Sequence, residues 1–402
     1  MTSPPHASSP PAAALPAVQV SRRGAARICG GHPWVYRSDV SARGVPPGAL
    51  VQVVEPRGRA LGSALYSSAS QFALRMVSSQ PLADDASLLA LVRQRVRDAA
   101  AYRRRLVEGS DAYRVIFSEA DFLPGLVVDK YADLLSMQVL TQAMDRDDLR
   151  ACVLETLRQE LAPVAIVERM DPRIRELEHL PPRPTRAVFG AKTETEFSLN
   201  GIKFLFDGFA GQKTGAFLDQ RENYSAAARY AHGEALDVFC YQGGFALHFA
   251  PLCSSVTGVD LSRAALEIAE HNAALNRREI EWLEANAFDL LRDYADAGRR
   301  YDTIVLDPPA FAKDRRALAG ALRGYKELNL RALKMLRPGG VLVTCSCSFH
   351  VSSAEFLEML SSAAADAHRS PRVLEVRGQS RDHPAVLNIA ETTYLKCVIL
   401  SV

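Results

Sequence analysis

The chain has 402 residues, of which 48% are hydrophobic and 23% charged, and its formal net charge is +2. These values fit about two to three globular domains and exclude a disordered or fibrous chain. Seven cysteines without framework spacing argue against a secreted disulfide scaffold and for a reducing cytoplasm, and no apolar run reaches the ~18 residues of a membrane span.

Residues 1–17 lack a basic n-region, and their prolines interrupt any apolar core, so they read as a disordered tail. Residues 18–83 read as a compact β-rich module, with strands expected at 50–54, 60–66 and 71–76 between glycine and proline turns. From Arg22 to Gln80 there are eight arginines against two acids, Asp39 and Glu55, which suggests contact with a polyanion. HPWVYRSDV, residues 32–40, sets aromatics beside His32 and Arg37, a mixture that can stack on bases and hold phosphates. Arg22, Arg23, His32, Trp34 and Arg37 are therefore the candidate RNA contacts, although Trp34 and Tyr36 equally suit core anchors of a small barrel.

A basic helix is expected over 84–107, either extending the nucleic-acid face or serving as an exposed linker. It opens a central α+β unit, 84–190, with strands near 113–118, 125–129, 134–140 and 164–168 and a helix over 146–160. Residues 191–402 form the last unit. It begins with a hairpin over 195–207 that turns at Asn200-Gly201. Strand-like runs near 236–239, 255–260, 279–284, 301–307 and 339–346 then alternate with helical stretches, and late strands follow near 372–378 and 393–401. This alternation predicts an α/β fold with a mainly parallel, doubly wound sheet.

Ligands of such sheets bind outside the carboxyl ends of the strands. The first strand runs into Cys240-Tyr241-Gln242-Gly243-Gly244, where absent Cβ atoms would let a cofactor approach the backbone. About 20 residues later Asp260 ends the second strand, where a carboxylate can hold ribose hydroxyls. No G-x-G-x-x-G cradle for a pyrophosphate is present. An adenosine cofactor without phosphates, S-adenosylmethionine, is the expected ligand, and a dinucleotide dehydrogenase is disfavoured. Asp307 ends another strand in YDTIVLDPPAFAK, where two prolines stiffen the following loop. VLVTCSCSFH brings Cys345 and Cys347 to a third strand end. With His350 they form C-x-C-x-x-H, which lacks a second ligand pair for structural zinc, so no metal is expected. A cysteine nucleophile, an acid and a methyl donor suit methylation at carbon 5 of a pyrimidine after thiolate addition at carbon 6.

These motifs resemble a known family, the bacterial large-subunit ribosomal RNA cytosine-5 methyltransferases with an N-terminal PUA domain. The resemblance is carried by HPWVYRSDV, SSASQFALR, SEADFLPGLVVDKY, GQKTGAFLDQREN, FCYQGGF, DPPAFAK, RGYKELN, CSCS, DHP at 382–384 and YLK at 394–396. It implies a class I, Rossmann-like methyltransferase domain with a seven-stranded, mainly parallel sheet, an S-adenosylmethionine site and an rRNA substrate. It also implies Cys347 as nucleophile, Asp307 as the acid of the D-P-P motif, and Asp219 and Arg221 near the methionine end of the cofactor. Cys240, Tyr241, Gly243, Asp260, Leu261, Asn286, Ala287 and Asp307 complete the implied cofactor site. Asn286 departs from the family's usual acid beside adenine, but its amide oxygen can accept from the adenine amino group. Cys345 and Cys397 are further departures. The competing readings are a methyltransferase acting on an exocyclic amine, disfavoured because Ala310 rather than an aromatic follows Pro309, and a catalytically silent RNA-binding or assembly protein. A homodimer is a candidate assembly.

Overall fold

The computed structural model describes residues 15–209, 216–312 and 314–402. Most of the expected tail, the beginning of GQKTGAFLDQREN and Lys313 of DPPAFAK lie outside the described residues. Ala17, assigned to the tail, already belongs to the first strand.

The N-terminal module contains β1 (Ala17–Val20), α1 (Arg22–Cys29), β2 (Trp34–Tyr36), β3 (Val40–Ser41), β4 (Leu50–Val54), β5 (Ala60–Tyr66) and β6 (Phe72–Ser78). Its six strands lie in the order β2-β6-β5-β4-β1-β3. Helix α1 corrects the expectation of strands and turns alone. Ser21 caps it by accepting from Gly24 N, and Asp39 accepts from both Ser21 Oγ and Arg23 Nε.

The central unit holds α2 (Asp85–Leu106), β7 (Ala112–Phe117), β8 (Leu126–Tyr131), β9 (Leu134–Val139), α3 (Asp147–Leu161), β10 (Ala165–Glu168), α4 (Pro172–Leu177) and β11 (Arg186–Phe189). Its sheet runs β11-β10-β9-β8-β7. Helix α2 is not an exposed linker. Leu88, Val92, Val96, Ala99 and Ala100 are buried, in one core with strands of both neighbouring sheets. Arg103 is also fully buried, and its guanidinium grips the Asp121 carboxylate and the backbone oxygen of Asp382. This part of the helix therefore cannot extend a nucleic-acid face.

The hairpin β12 (Glu194–Leu199) and β13 (Ile202–Asp207) turns at Asn200-Gly201 as expected. Then come α5 (Arg221–Ala228), β14 (Glu234–Val238), α6 (Gly244–Phe249), β15 (Ser255–Asp260), α7 (Arg263–Leu275), β16 (Glu281–Glu284) and α8 (Ala287–Asp296). Strand β17 (Tyr301–Leu306), α9 (Leu318–Met335), β18 (Leu336–Ser346), α10 (Ser353–Asp366), β19 (Arg372–Arg377) and β20 (Lys396–Ser401) complete the chain. The seven strands lie in the order β16-β15-β14-β17-β18-β20-β19, with β20 antiparallel to both neighbours. This is the class I methyltransferase architecture. Apolar cores cover both faces of the sheet, one under α8, α9 and α10 and the other under the hairpin, α5 and α6. The carboxyl ends of β14, β15, β17 and β18 are left to form the crevice.

Candidate active site

The cofactor side is built on strained backbone. Phe239 and Tyr241 have positive φ values of 67° and 50°, and Gly243 follows at 84°. The amides of Phe239 and Cys240 both donate to Val259 O, at 2.9 and 3.0 Å, so the turn is tied to β15. Asp260 completes the tie: one carboxylate oxygen accepts from Tyr241 N and the other from Ser262 N, each at 2.9 Å. A carboxylate has about four lone-pair sites, so two remain for ribose hydroxyls. The turn, Phe217, Tyr224 and Asp307 line one cleft with Ala216.

The two glycines also answer a packing need. A Cβ on Gly243 would meet the Trp282 ring at 2.7 Å, and one on Gly244 would meet Tyr224 at 2.4 Å. The space a Cβ would take is filled by neighbouring aromatic rings, while Gly244 still lines the cleft. Cys240 is buried, and burial pushes its thiol well above the usual range. It packs near Gly258, whose added Cβ would lie 3.2 Å from its Sγ.

At the ends of β15 and β16, Leu261 is 68% exposed and Phe288 38% exposed. Large apolar side chains open to solvent at the edge that carries the Asp260 carboxylate suit a nucleoside, so this edge fits the cofactor expected from the sequence. Ala287 is buried at the start of α8. Asn286 does not meet the expectation for it. Its amide oxygen caps α8, accepting from Phe288 N at 2.9 Å and Asp289 N at 3.4 Å. The acceptor expected for adenine is thus already engaged. Arg221 departs further. It is 2% exposed and its Nη2 pairs with Asp382 at 3.0 Å, so its guanidinium is committed to a buried ion pair. Asp219 accepts from the Tyr394 hydroxyl at 2.5 Å.

The opposite side of the crevice brings Asp307 and Cys347 together. Asp307 N donates to Val238 O, and its carboxylate accepts from Gln220 Nε2 at 3.0 Å. Asn223 in turn donates to Gln220 Oε1 at 2.7 Å, which orients the amide. Strand β18 stops at Ser346, so Cys347 lies just past the sheet, partly exposed, with Sγ 3.9 Å from Pro308 O. Ser348 staples this turn to the D-P-P loop: its Oγ accepts from Ala312 N at 3.1 Å and lies 2.9 Å from the Tyr325 hydroxyl. Phe311 packs at a tilt against Tyr325, ring centroids 4.7 Å apart, so this aromatic belongs to the staple. Cys345 is different. It is fully buried opposite Cys397, and burial holds its thiol well above the usual range.

Gln220, Tyr325, Phe288 and Lys396 were not singled out as site residues from the sequence, although all but Phe288 fall within its quoted motifs. Lys396 is 5% exposed, and its Nζ donates to Ser348 O at 2.6 Å and Tyr394 O at 2.8 Å. Among the described residues, no cluster of three or more His, Cys, Asp or Glu could hold a metal ion, and no helix is long and apolar enough to cross a membrane.

The N-terminal candidates divide. Arg22 and Arg23 lie exposed on α1, and Arg37 is exposed with its guanidinium donating to Ser67 O and Ser70 O. His32 and Trp34 instead face the rest of the protein. His32 lies 3.5 Å from Glu391, while Trp34 stacks on Phe72 at 4.4 Å and donates from Nε1 to Glu119 at 3.0 Å. Arg75 and Ser67 likewise meet Glu178 of the central unit, at 3.0 and 2.9 Å. The anchor reading of Trp34 therefore describes this structure, and its indole N–H is already used.

A PUA-like domain model matches residues 18–79, and an S-adenosylmethionine-dependent methyltransferase model matches residues 139–393. The ribosomal RNA large subunit methyltransferase I of Shewanella amazonensis is 38% identical over 383 residues, 92% of this chain and 95% of that protein. The protein of the same name from Tolumonas auensis is 36% identical over 381 residues, again 92% and 95%. Among solved structures, a methyltransferase candidate complexed with SAH superposes with a TM-score of 0.81 at 17% identity, over 96% of this chain and 100% of that one, a likeness of fold. The crevice at the carboxyl edge of a class I sheet, the PUA-like module ahead of it and these full-length similarities agree: the chain is an S-adenosylmethionine-dependent methyltransferase and belongs to the ribosomal RNA large subunit methyltransferase I family.

Proposed function

We propose that this enzyme forms 5-methylcytosine in large-subunit ribosomal RNA through a covalent adduct of Cys347 at carbon 6. The observation that carries the reading is the contrast between two cysteines only two residues apart. Cys345 is sealed in the sheet, whereas Cys347 emerges beyond it beside the loop that presents Asp307. S-adenosylmethionine supplies the methyl group, and Asp260, Leu261, Tyr241 and the Ala287 turn are the residues that would hold it. Cys347 Sγ adds to carbon 6, the ring's displaced electron pair is drawn toward nitrogen 3, and Asp307 holds that nitrogen. Carbon 5 would then take the methyl group as the methyl–sulfonium bond breaks and S-adenosylhomocysteine is left; the carbon-5 proton would pass to solvent, the 5,6 double bond would re-form and the thiolate would depart.

In this reading residues 18–83 bind RNA, residues 84–190 connect, and residues 191–402 catalyse, in the cytoplasm, on rRNA as partner. The RNA contacts fall to Arg22, Arg23 and Arg37, since His32 and Trp34 are turned inward. The test is Cys347→Ala with mapping of 5-methylcytosine in rRNA and trapping on RNA containing 5-fluorocytosine, whose substituent cannot leave as a proton. Methylation and the trapped complex should both vanish, while Cys345→Ala should keep both. Carbon-5 methylation by Cys347→Ala would overturn the reading.

A further inference from the structure

Lys396 is a buried cation with an unusual set of neighbours. It opens β20, directly across the ladder from Ser346, the last residue of β18 before Cys347. Its Nζ donates to the backbone oxygens of Ser348 and Tyr394, the first of these one residue beyond Cys347. An ammonium has three protons to place, and two go to these carbonyls. No carboxylate among the described residues forms an ion pair with it. The titratable groups facing it are the Cys347 thiol and, from the start of α10, Glu355. Glu355 is engaged elsewhere, accepting from Ser352 N at 2.8 Å and Ser352 Oγ at 2.6 Å in a capping box. Among the described residues the groups facing the thiol include Lys396, Tyr394 ahead of β20 and Tyr325 on α9, and the thiol lies beside the loop that carries Asp307; burial raises both phenols, so neither supplies a charge at neutral pH.

We propose that Lys396 is the positioning residue that activates Cys347, its ammonium stabilising the thiolate at the end of β18. The inference rests on Cys347 being the nucleophile. Ionisation breaks the S–H bond, leaves the electron pair on Sγ and passes the proton to solvent buffer, while Nζ stays an ammonium. A thiolate in an electropositive, partly exposed setting is the reactive form of cysteine. Burial lowers Lys396 to about 8, so the ammonium still predominates at neutral pH, and the thiolate favours that charged form.

The test uses the full chain without RNA or cofactor. Alkylation of Cys347 by iodoacetamide is followed by peptide mass spectrometry from pH 6 to 10, which separates it from the other six cysteines. Lys396→Gln keeps an N–H donor but removes the charge. It should raise the midpoint of the Cys347 profile by about one pH unit and slow alkylation about tenfold at pH 7. Lys396→Arg should hold the profile close to wild type. A Lys396→Gln profile that coincides with wild type, with circular dichroism unchanged, overturns the inference. If Lys396→Gln does not fold, Cys347→Ser gives the reciprocal measurement: without the thiolate, acetylation of Lys396 by acetic anhydride should begin at lower pH, and an unchanged profile overturns it equally. Alkylation reports on the thiol alone, so this test can fail while the fluorocytosine adduct forms, or succeed while the adduct does not.

Discussion

Two buried groups under the cofactor turn should give the catalytic sheet a particular pH signature. Asp237 on β14 is 1% exposed; Oδ2 accepts from Ala246 N at 2.9 Å, and Oδ1 has no hydrogen-bond partner. Burial, with Asp307 and Asp260 nearby, raises it from 3.8 to about 8. His248 on α6 donates from Nδ1 to Gly244 O at 2.7 Å, so Nε2 accepts from Asn200 Nδ2 at 3.2 Å. Burial lowers it from 6.5 to about 4. The folded state holds the Asp237 proton more tightly than the unfolded chain does, so its stabilisation is complete below pH 3.8 and is lost as pH rises to about 8. His248 acts in the opposite sense: its neutral form is favoured by folding, and stability rises from about pH 4 to 6.5. Each slope is about 1.4 kcal/mol per pH unit. The two cancel between about pH 4 and 6.5, and above 6.5 only the loss from Asp237 remains. Asp237→Asn copies the protonated acid and gives Oδ1's position a choice of donor or acceptor. Relative to wild type it should gain about 5 kcal/mol of stability from pH 4 to 8. His248→Gln should lose about 3 kcal/mol relative to wild type between pH 4 and 6.5. Scanning calorimetry of the full chain at half-unit pH steps reads both difference curves. A flat Asp237→Asn difference curve would refute the assignment of a buried, protonated carboxyl.

Three other outcomes are expected. Asp260→Ala should weaken S-adenosylmethionine binding at least tenfold, about 1.4 kcal/mol, by titration calorimetry, because it removes both the candidate ribose ligand and the tie to Tyr241 N; an unchanged affinity in a folded variant would exclude Asp260 from the site. Asp382→Asn should cost about 3–5 kcal/mol, since the Arg221 guanidinium then loses its buried counter-ion, and an unshifted melting temperature would show the pair to be inert. Arg22→Glu on exposed α1 should weaken RNA binding and reduce the slope of log affinity against log salt by about 1, whereas an unaltered slope would place the RNA elsewhere.

The catalytic sheet was legible because its strands are short apolar runs alternating with longer helical stretches, and each site acid sits where such a run ends. The hairpin was legible from Asn200-Gly201, whose left-handed backbone, φ 51° and 83°, these residues tolerate. Helix α1 was not, because RRGAARIC has small residues rather than an apolar stripe on its buried face, Gly24 and Ala25. Arg103 was hidden among three consecutive arginines that read as solvated, yet one of them turns inward to partners 18 and 279 residues away. The packing role of Gly243 and Gly244 was similarly out of reach, because the rings that need the space belong to Trp282 and Tyr224 on other elements. Asn286 shows competition for one atom: a residue suited to bind adenine is equally suited to cap a helix, and here the cap holds the oxygen.

Asp382 accepts from Arg221 through its side chain and from the Arg114 amide at 2.9 Å, and its backbone oxygen receives Arg103. Three stretches far apart in sequence thereby clasp the central and catalytic sheets at one dry point. Hinging the sheets open there would strip at least one buried guanidinium of its acceptor. The clasp therefore opposes hinging between the two units at this point. In the proposed reaction a cytosine held in a duplex would have to leave its stack to bring carbon 6 to Cys347, so the work of access would fall on the RNA.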